Sequence, residues 1–432
     1  MVQPLDPGVR RGYALGSVAT GTFGTVPGLL LLPYLTGTIG ISALLAGIIV
    51  VLPKAWDVVL NPVAGRISDR SSVPRRRPFL IRAGLVLAVT FALLFAGPTE
   101  SKVAGGIWVV VLFLACASAY AFFQVPYVAM PAEMTEDYAE RTRLMTWRVA
   151  VLAVAILLAG ATAPAVKNAF DDAATGHRVM GVYVGVIIAV GVVGAWWGTR
   201  HAPEHPVPTA EGSMRDQLRL VTAVPAFRAL LLTFVVQAVG VGALLAGVDY
   251  VASDLLESEG ATTVLFAAFI APALLVTPLW ERYARRRGKK SGYVLSSTLL
   301  AVGALGLLTA RLDLPVVVYL SAAVAGIGYA GAQVFPLAML PDVAAQDAER
   351  SGDNRIGVFT GVWTAGETLG LALGPGVFAL VLALGGFVSG DDAVQPESAL
   401  NAIAIGFAVV PAVLVAAGLL FLRRYSDERV AP

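Results

Sequence analysis

The sequence predicts an all-α membrane protein of twelve transmembrane helices in two six-helix bundles, with both termini cytoplasmic. Three observations predict it: recurrent apolar stretches long enough to cross a bilayer, a one-sided distribution of Lys and Arg, and an internal repeat with a period of six spans. The 432 residues are 57% hydrophobic and 14% charged, whereas soluble domains carry about 25% charge. A hydrocarbon core of about 30 Å needs about 20 helical residues. Helices satisfy their own backbone hydrogen bonds in lipid, and the alternating pattern of barrel strands is absent.

The expected spans of the first bundle, residues 1–199, are 11–36, 41–66, 78–97, 103–133, 146–166 and 179–199. Span one carries Gly12, Gly16, Thr20, Gly24 and Gly28, a small-residue stripe that permits close helix approach. Span two holds Lys54 and Asp57, and span three follows a basic loop. Span four ends in "QVPYVAMPAEM", span five opens at Arg148, and span six leads into the linker 200–225, with Pro203, Pro206 and Pro208. The second bundle, 226–432, has spans at 226–251, 262–283, 292–311, 315–340, 357–384 and 398–422. Span seven carries Gln237 and, at its outer end, Asp249; span eight runs into "ERYARRRGKK". Span nine is plainly apolar, span ten ends in "QVFPLAMLPDV", span eleven carries Trp363, Thr364 and Glu367, and span twelve ends at Arg423 and Arg424.

Of the 31 Lys and Arg residues, 26 fall on the side shared by the termini, four on the other, and Lys54 within a span. The positive-inside rule then places both termini in the cytoplasm of a multi-pass cell-membrane protein. Residues 1–10 lack the basic region and short apolar core of a signal peptide, so span one is expected to be retained. The basic loops need no nucleic acid to explain them. The single Cys116 cannot form an intramolecular disulfide.

The repeat is explicit. "QVPYVAMPAEMTEDYAER" (124–141) aligns without a gap on "QVFPLAMLPDVAAQDAER" (333–350), with seven identities and Glu133 opposite Asp342. A weaker pair, after spans two and eight, sets Pro62, Arg66 and Arg70 opposite Pro278, Arg282 and Arg286. A six-span duplication in one orientation suggests two bundles about an axis along the membrane normal, with a polar cavity between them.

Ionisable residues in the bilayer cost about 2.5–3.5 kcal/mol at a helix centre and therefore face a cavity or a partner. On span two Lys54, Asp57, Asn61, Gly65 and Ser68 share about 80° of helix arc. Pro62 removes a donor and leaves a backbone oxygen available. Two readings follow: an ion pair locking the helix, or an Asp57 poised by Lys54 to bind a coupling cation.

"KAWDVVLNPVAGRISDR" resembles the second-helix signature of the glycoside-pentoside-hexuronide:cation symporters, the melibiose-permease-like family of the major facilitator superfamily. "VPYVAMPAEMTEDYAERTRLMTWR" and "TLGLALGPGVFALVLALGGF" resemble the family's fourth-to-fifth and eleventh spans. The resemblance implies a symporter with Asp57 and Asn61 in the cation position, assisted by Lys54, and Arg148 near the substrate. The sequence departs from the pattern at several points. Thr20 and Gly21 stand where sugar-carrying relatives have an acid, Gln124 and Ala121 replace an acid and a hydroxyl on span four, and Thr368 replaces a lysine. Sodium wants several oxygens at once, so a lone Asp57 favours H⁺ as coupling ion, with Na⁺ second. No cofactor is expected.

Further substrate-binding candidates are Tyr120, Gln124 and Tyr127 on one face of span four, Gln333 beside Tyr329 on span ten, and Trp363 and Glu367 on span eleven. Helix packing is the competing account for the aromatics. Gating candidates are the charges of the basic loops: Asp69 with Arg70, and Glu133 and Arg141 with Asp342 and Arg350.

His177, His201 and His205 lie in loops without HExxH spacing, and no GxSxG or P-loop is present. The sequence therefore speaks against an enzyme and an ATP-driven pump. It predicts an ion-coupled secondary transporter of a small organic solute, with a glycoside or other sugar-like compound as the first candidate, working by alternating access. A lipid or lysolipid carrier and a proton-driven drug exporter are the alternatives on the same scaffold. The expected partners are the solute, the coupling cation and the lipid bilayer, with no second copy of the chain.

Overall fold

A computed structural model describes residues 5–69, 77–135, 137–203, 219, 222–258, 260–312, 314–351, 356–390 and 393–425. Among them there is no strand. The helices are α1 (Pro7–Pro33), α2 (Ala43–Asp69), α3 (Arg77–Leu94), α4 (Lys102–Met134), α5 (Tyr138–Lys167) and α6 (Ala173–Thr199). They are followed by α7 (Pro225–Tyr250), α8 (Ala261–Arg287), α9 (Lys289–Gly306), α10 (Pro315–Ser351), α11 (Ile356–Leu384) and α12 (Glu397–Leu422).

Among the described residues, eleven of these are long and apolar enough to cross a membrane, and the run described in α2 is the shorter apolar stretch Ala43–Pro53. The helices also overrun the apolar stretches beside the basic loops: α5 begins at Tyr138 rather than 146, and α10 continues to Ser351 rather than ending near 340. Charged residues such as Glu140, Asp342 and Glu349 are good helix formers outside lipid or tolerate helix there, so the end of an apolar run does not mark the end of the helix.

The chain divides into two compact units, Met1–Ala210 with Ser389–Ala393, and Glu211–Val388 with Val394–Pro432. In the first, α1 packs on α5 and α6, α3 on α4 and α6, and α2 on α4. In the second, α7 packs on α11 and α12, α9 on α10 and α12, and α8 on α10. Each neighbour pair of one unit thus recurs six helices later. The ends repeat as well: α1 runs into a π-helical turn, Tyr34–Thr38, and α7 into another, Val251–Leu255. These matching details extend the duplication from two short segments to whole bundles.

Local chemistry sets several ends. The Asp6 carboxylate accepts from the Gly8 N–H at 2.6 Å, and Pro7 sits where a helix lacks an N–H partner anyway. Asp172 caps α6: the Thr175 hydroxyl and, at 2.8 Å, the Thr175 N–H both donate to its carboxylate and hold it below the usual carboxylate range. The small-residue stripe of α1 has two fates. A Cβ at Gly12 would overlap the Gly198 backbone of α6, and one at Gly16 would strike the Tyr127 ring, while Gly24 and Gly28 have nothing within 4 Å. Only the first half of the stripe is a packing device.

Candidate functional site

The first unit gathers its polar side chains where α1, α4 and α5 meet. Tyr120, Gln124 and Tyr127 recur at intervals of four and three on α4, so they share a face. Tyr127 is fully buried; its hydroxyl donates to the Tyr13 carbonyl of α1 at 2.8 Å. That proton being committed, the Ser17 hydroxyl donates to Tyr127 Oη at 3.0 Å. The rings of Tyr13 and Tyr127 stack with centroids 4.7 Å apart. The guanidinium of Arg148, on α5, lies 5.6 Å from the Tyr127 centroid, within cation–π range.

Tyr120 packs its ring on Phe23 of α1 at 4.5 Å. Its phenol interacts electrostatically with both the Asp57 carboxylate and the Arg148 guanidinium. Asp57 is 4% exposed on α2, whereas Asn61, one turn later, is exposed. The two lie about 40° apart around α2 and so keep to one face of the helix. Trp56 fastens α2 to α4 by donating to Ser118 Oγ at 3.1 Å. The side chain of Lys54 lies outside the described residues.

Three buried polar atoms of this cluster have no hydrogen-bond partner among the described residues: Arg148 Nε, Gln124 Oε1 and Tyr13 Oη. Each such atom costs about 1–3 kcal/mol, so its retention calls for a reason. A donor, an acceptor and a group that is both are presented together, the set a polar solute would need.

In the second unit, Gln333 donates to Tyr329 Oη at 2.9 Å, Tyr329 stacks on Phe269 of α8 at 5.1 Å, and Glu367 of α11 interacts electrostatically with Tyr329. Trp363 is buried and stacked 4.4 Å from Phe234, with its indole N–H unpartnered among the described residues. Gln237 has a different role. It donates to Ser297 Oγ at 3.0 Å and accepts from Tyr293 Oη at 3.0 Å, tying α7 to α9 inside the bundle. Asp249 accepts from Thr262 at 2.9 Å and joins α7 to the start of α8, buried rather than at an open mouth.

The gating candidates fall in different surroundings. Asp342 pairs with Lys289 at 2.5 Å, a partner that spacing could not single out of a loop with six cations. Arg141 donates through Nε to the Thr135 carbonyl at 2.8 Å. Glu133 is buried near the end of α4, and Arg350 is exposed near the end of α10. Glu140 receives Arg143 at 2.8 Å and approaches Arg10 at 3.9 Å. Arg70 lies outside the described residues, as does the side chain of Asp69.

Sequence reasoning missed Tyr13 and Ser17. It searched span one for an acid and stopped at Thr20, yet Tyr13, Ser17 and Thr20 stand at i, i+4 and i+7 on one helical face, which was the available signal.

This buried cluster sits in a chain whose residues 12–428 match the family described as MFS/sugar transport protein. The chain belongs to that family, the melibiose-permease-like symporters of the major facilitator superfamily. It is 28% identical over 448 residues to YagG of Escherichia coli K12, named as a candidate glycoside/cation symporter, covering 98% of this chain and 92% of the relative. It is 24% identical over 461 residues to the sodium-dependent lysophosphatidylcholine symporter 1 of Gallus gallus, covering 96% and 85%. In fold it resembles the inward-facing, unoccupied crystal structure of a bacterial homologue of the lysosomal transporter Spinster. There the TM-score is 0.68 at 15% identity, over 97% of this chain and 95% of that one. Family and fold are those of membrane transporters.

Proposed function

We propose that this family member is an ion-coupled symporter of a small organic solute in the cell membrane. It crosses the bilayer twelve times with both termini cytoplasmic, and it works by alternating access. The observation that carries the reading is the unsatisfied set Arg148 Nε, Gln124 Oε1 and Tyr13 Oη, buried in one cluster whose Tyr120 also feels the Asp57 carboxylate. Solute-binding groups and a membrane carboxylate are thus neighbours in one bundle.

In this reading Asp57 carries the coupling ion, assisted by Lys54 and Asn61, and H⁺ is preferred over Na⁺. Arg148 and Gln124 engage the solute directly, with Tyr120 at the edge of the cluster. Tyr127, whose hydroxyl is already used twice, positions Arg148. Gln333, Trp363 and Glu367 supply the second bundle's contacts, and the ion pairs of Asp69, Arg70, Glu133, Arg141, Asp342 and Arg350 gate the cytoplasmic side. The solute is glycoside-like in the first instance.

A second reading, a lysolipid carrier, is supported by one guanidinium set among Tyr13, Tyr120 and Tyr127, which suits a phosphate beside apolar surface. A thermal-shift screen of methyl glycosides, hexuronides and lysophosphatidylcholine, at two pH values and two Na⁺ concentrations, separates the readings, because a ligand that binds the native state raises its stability. Stabilisation by a glycoside or hexuronide that responds to pH supports the first reading. Stabilisation by lysophosphatidylcholine alone replaces it with the second, and stabilisation by none of them at any condition overturns both.

A further inference from the structure

The outer face of the first unit carries a furrow of about 680 Å³ between α1 and α6, a size in the range of about 300–1,000 Å³ typical of small-molecule sites. Gly8, Gly12 and Leu15 line it from α1, and Val186, Val190 and Gly194 are among its lining from α6. The glycines remove side chains from both walls, and the Gly12–Gly198 contact forms its floor at the N-terminal end of α1. From Val186 to Gly198 the α6 wall runs about 18 Å at 1.5 Å per residue, a little more than one leaflet of a core of about 30 Å. Nothing polar lines its length.

Its chemistry changes at one end only. Arg11 lines the furrow there and is exposed. Trp197, also in the lining, is 58% exposed and carries the Arg200 guanidinium 3.8 Å above its ring. Indole rings settle at the membrane interface, so this end lies at headgroup depth, with two guanidiniums in place.

We propose that this furrow binds one anionic phospholipid of the leaflet next to the N terminus, with an acyl chain along α6 and the phosphate between Arg11 and Arg200. A diacyl lipid fits what a soluble solute does not: an apolar channel one leaflet long, closed at the interface by two cations. The site is separate from the buried cluster of Tyr127 and Arg148. It rests on the proposed orientation for its leaflet, the cytoplasmic one, where anionic lipids attract basic residues.

The test uses the full chain purified in dodecyl maltoside, with a photoactivatable phosphatidylglycerol carrying a diazirine on its acyl chain. Labelling of α6 between Val186 and Trp197, competed by phosphatidylglycerol and not by phosphatidylcholine, is the expected result. Arg11→Ala and Arg200→Ala should each weaken that competition about fivefold, equivalent to about 1 kcal/mol per basic residue near an anionic surface. Val190→Trp, which fills the furrow from an exposed position, should abolish labelling of α6 while leaving the melting temperature of the lipid-free protein unchanged. Equal competition by both lipids, or labelling indifferent to all three variants, overturns the proposal. So does a disulfide-linked dimer formed by Val190→Cys, which would assign the face to a second copy. None of these readouts measures transport, and the membrane orientation is settled separately by cysteine accessibility on the two faces of vesicles, so failure here leaves the symporter reading standing.

Discussion

Tyr127 distinguishes a residue that touches the solute from one that holds Arg148 in place, through a pair of substitutions. Tyr127→Phe removes the bonds to the Tyr13 carbonyl and the Ser17 hydroxyl, at 2.8 and 3.0 Å. Side-chain hydrogen bonds between membrane helices average about 0.6 kcal/mol and reach about 1.7. The Tyr13 carbonyl sits within α1 and keeps its helical partner, so the loss belongs at the low end, about 1 kcal/mol. The ring remains, and with it the stack on Tyr13 at 4.7 Å and the guanidinium at 5.6 Å. Tyr127→Leu removes the ring as well. A cation–π contact contributes about 0.5–2 kcal/mol and the Tyr13–Tyr127 pair about 0.5–1.5, so the wall that holds Arg148 loses about 1–3.5 kcal/mol. At about 1.4 kcal/mol per tenfold, solute affinity should fall about fivefold or more in Tyr127→Leu and less than about threefold in Tyr127→Phe. Thermal unfolding in dodecyl maltoside reports the stability change, and calorimetric titration with the solute found by screening reports the affinity. A Phe variant as weak as the Leu variant would show that the hydroxyl contacts the solute, and a Leu variant of unchanged affinity would remove Tyr127 from the site altogether.

Three other outcomes follow from the same structure. Asp57→Asn should abolish gradient-driven accumulation in proteoliposomes while sparing solute counterflow; full accumulation by that variant ends the coupling role. Gln237→Leu leaves the buried hydroxyls of Tyr293 and Ser297 without the amide that joins them, so it should cost about 1–3 kcal/mol of stability. Unchanged counterflow per folded molecule would confirm that it ties helices rather than binds solute. Asp172 is held below its ordinary range by the Thr175 hydrogen bonds, so its cap stabilises the fold above the unfolded carboxylate range and loses that contribution as pH falls through the lower folded value. Asp172→Ala should therefore lower the melting temperature at neutral pH, with the difference from the parent protein closing only in strong acid.

The bundles were legible because two signals were redundant. Apolar run length and the alignment of 124–141 on 333–350 agree, and the six-apart neighbour pattern is what that alignment requires. Helix ends were less legible, because α5 and α10 continue through charged residues that hydropathy reads as loop. The π-helical turns at Tyr34–Thr38 and Val251–Leu255 have no sequence signature. Within the site, Asp57 and Arg148 stood out because charge in an apolar run is rare. Tyr13 and Ser17 act through a ring, a carbonyl and a hydroxyl, all of which look like ordinary packing until the partner helix is in view. The Lys289–Asp342 pair was hidden for the opposite reason: many cations lie near the acid, and only the turn between α8 and α9 selects one.

The departures from the sugar-carrying pattern take on a physical sense around Tyr120. The sequence retains one carboxylate on span two, too few oxygens for a sodium cage on its own. A proton needs no cage. Binding it to Asp57 changes one charge, and that charge is felt by Tyr120, which also feels Arg148. In the proposed symport, protonating Asp57 would remove a negative charge from the surroundings that Tyr120 shares with Arg148, and in a weakly screened cluster such a change carries further than it would in water. Under that proposal coupling would require no movement of ligands around an ion, only that an acid and an arginine share a tyrosine, so that a single carboxylate would suffice.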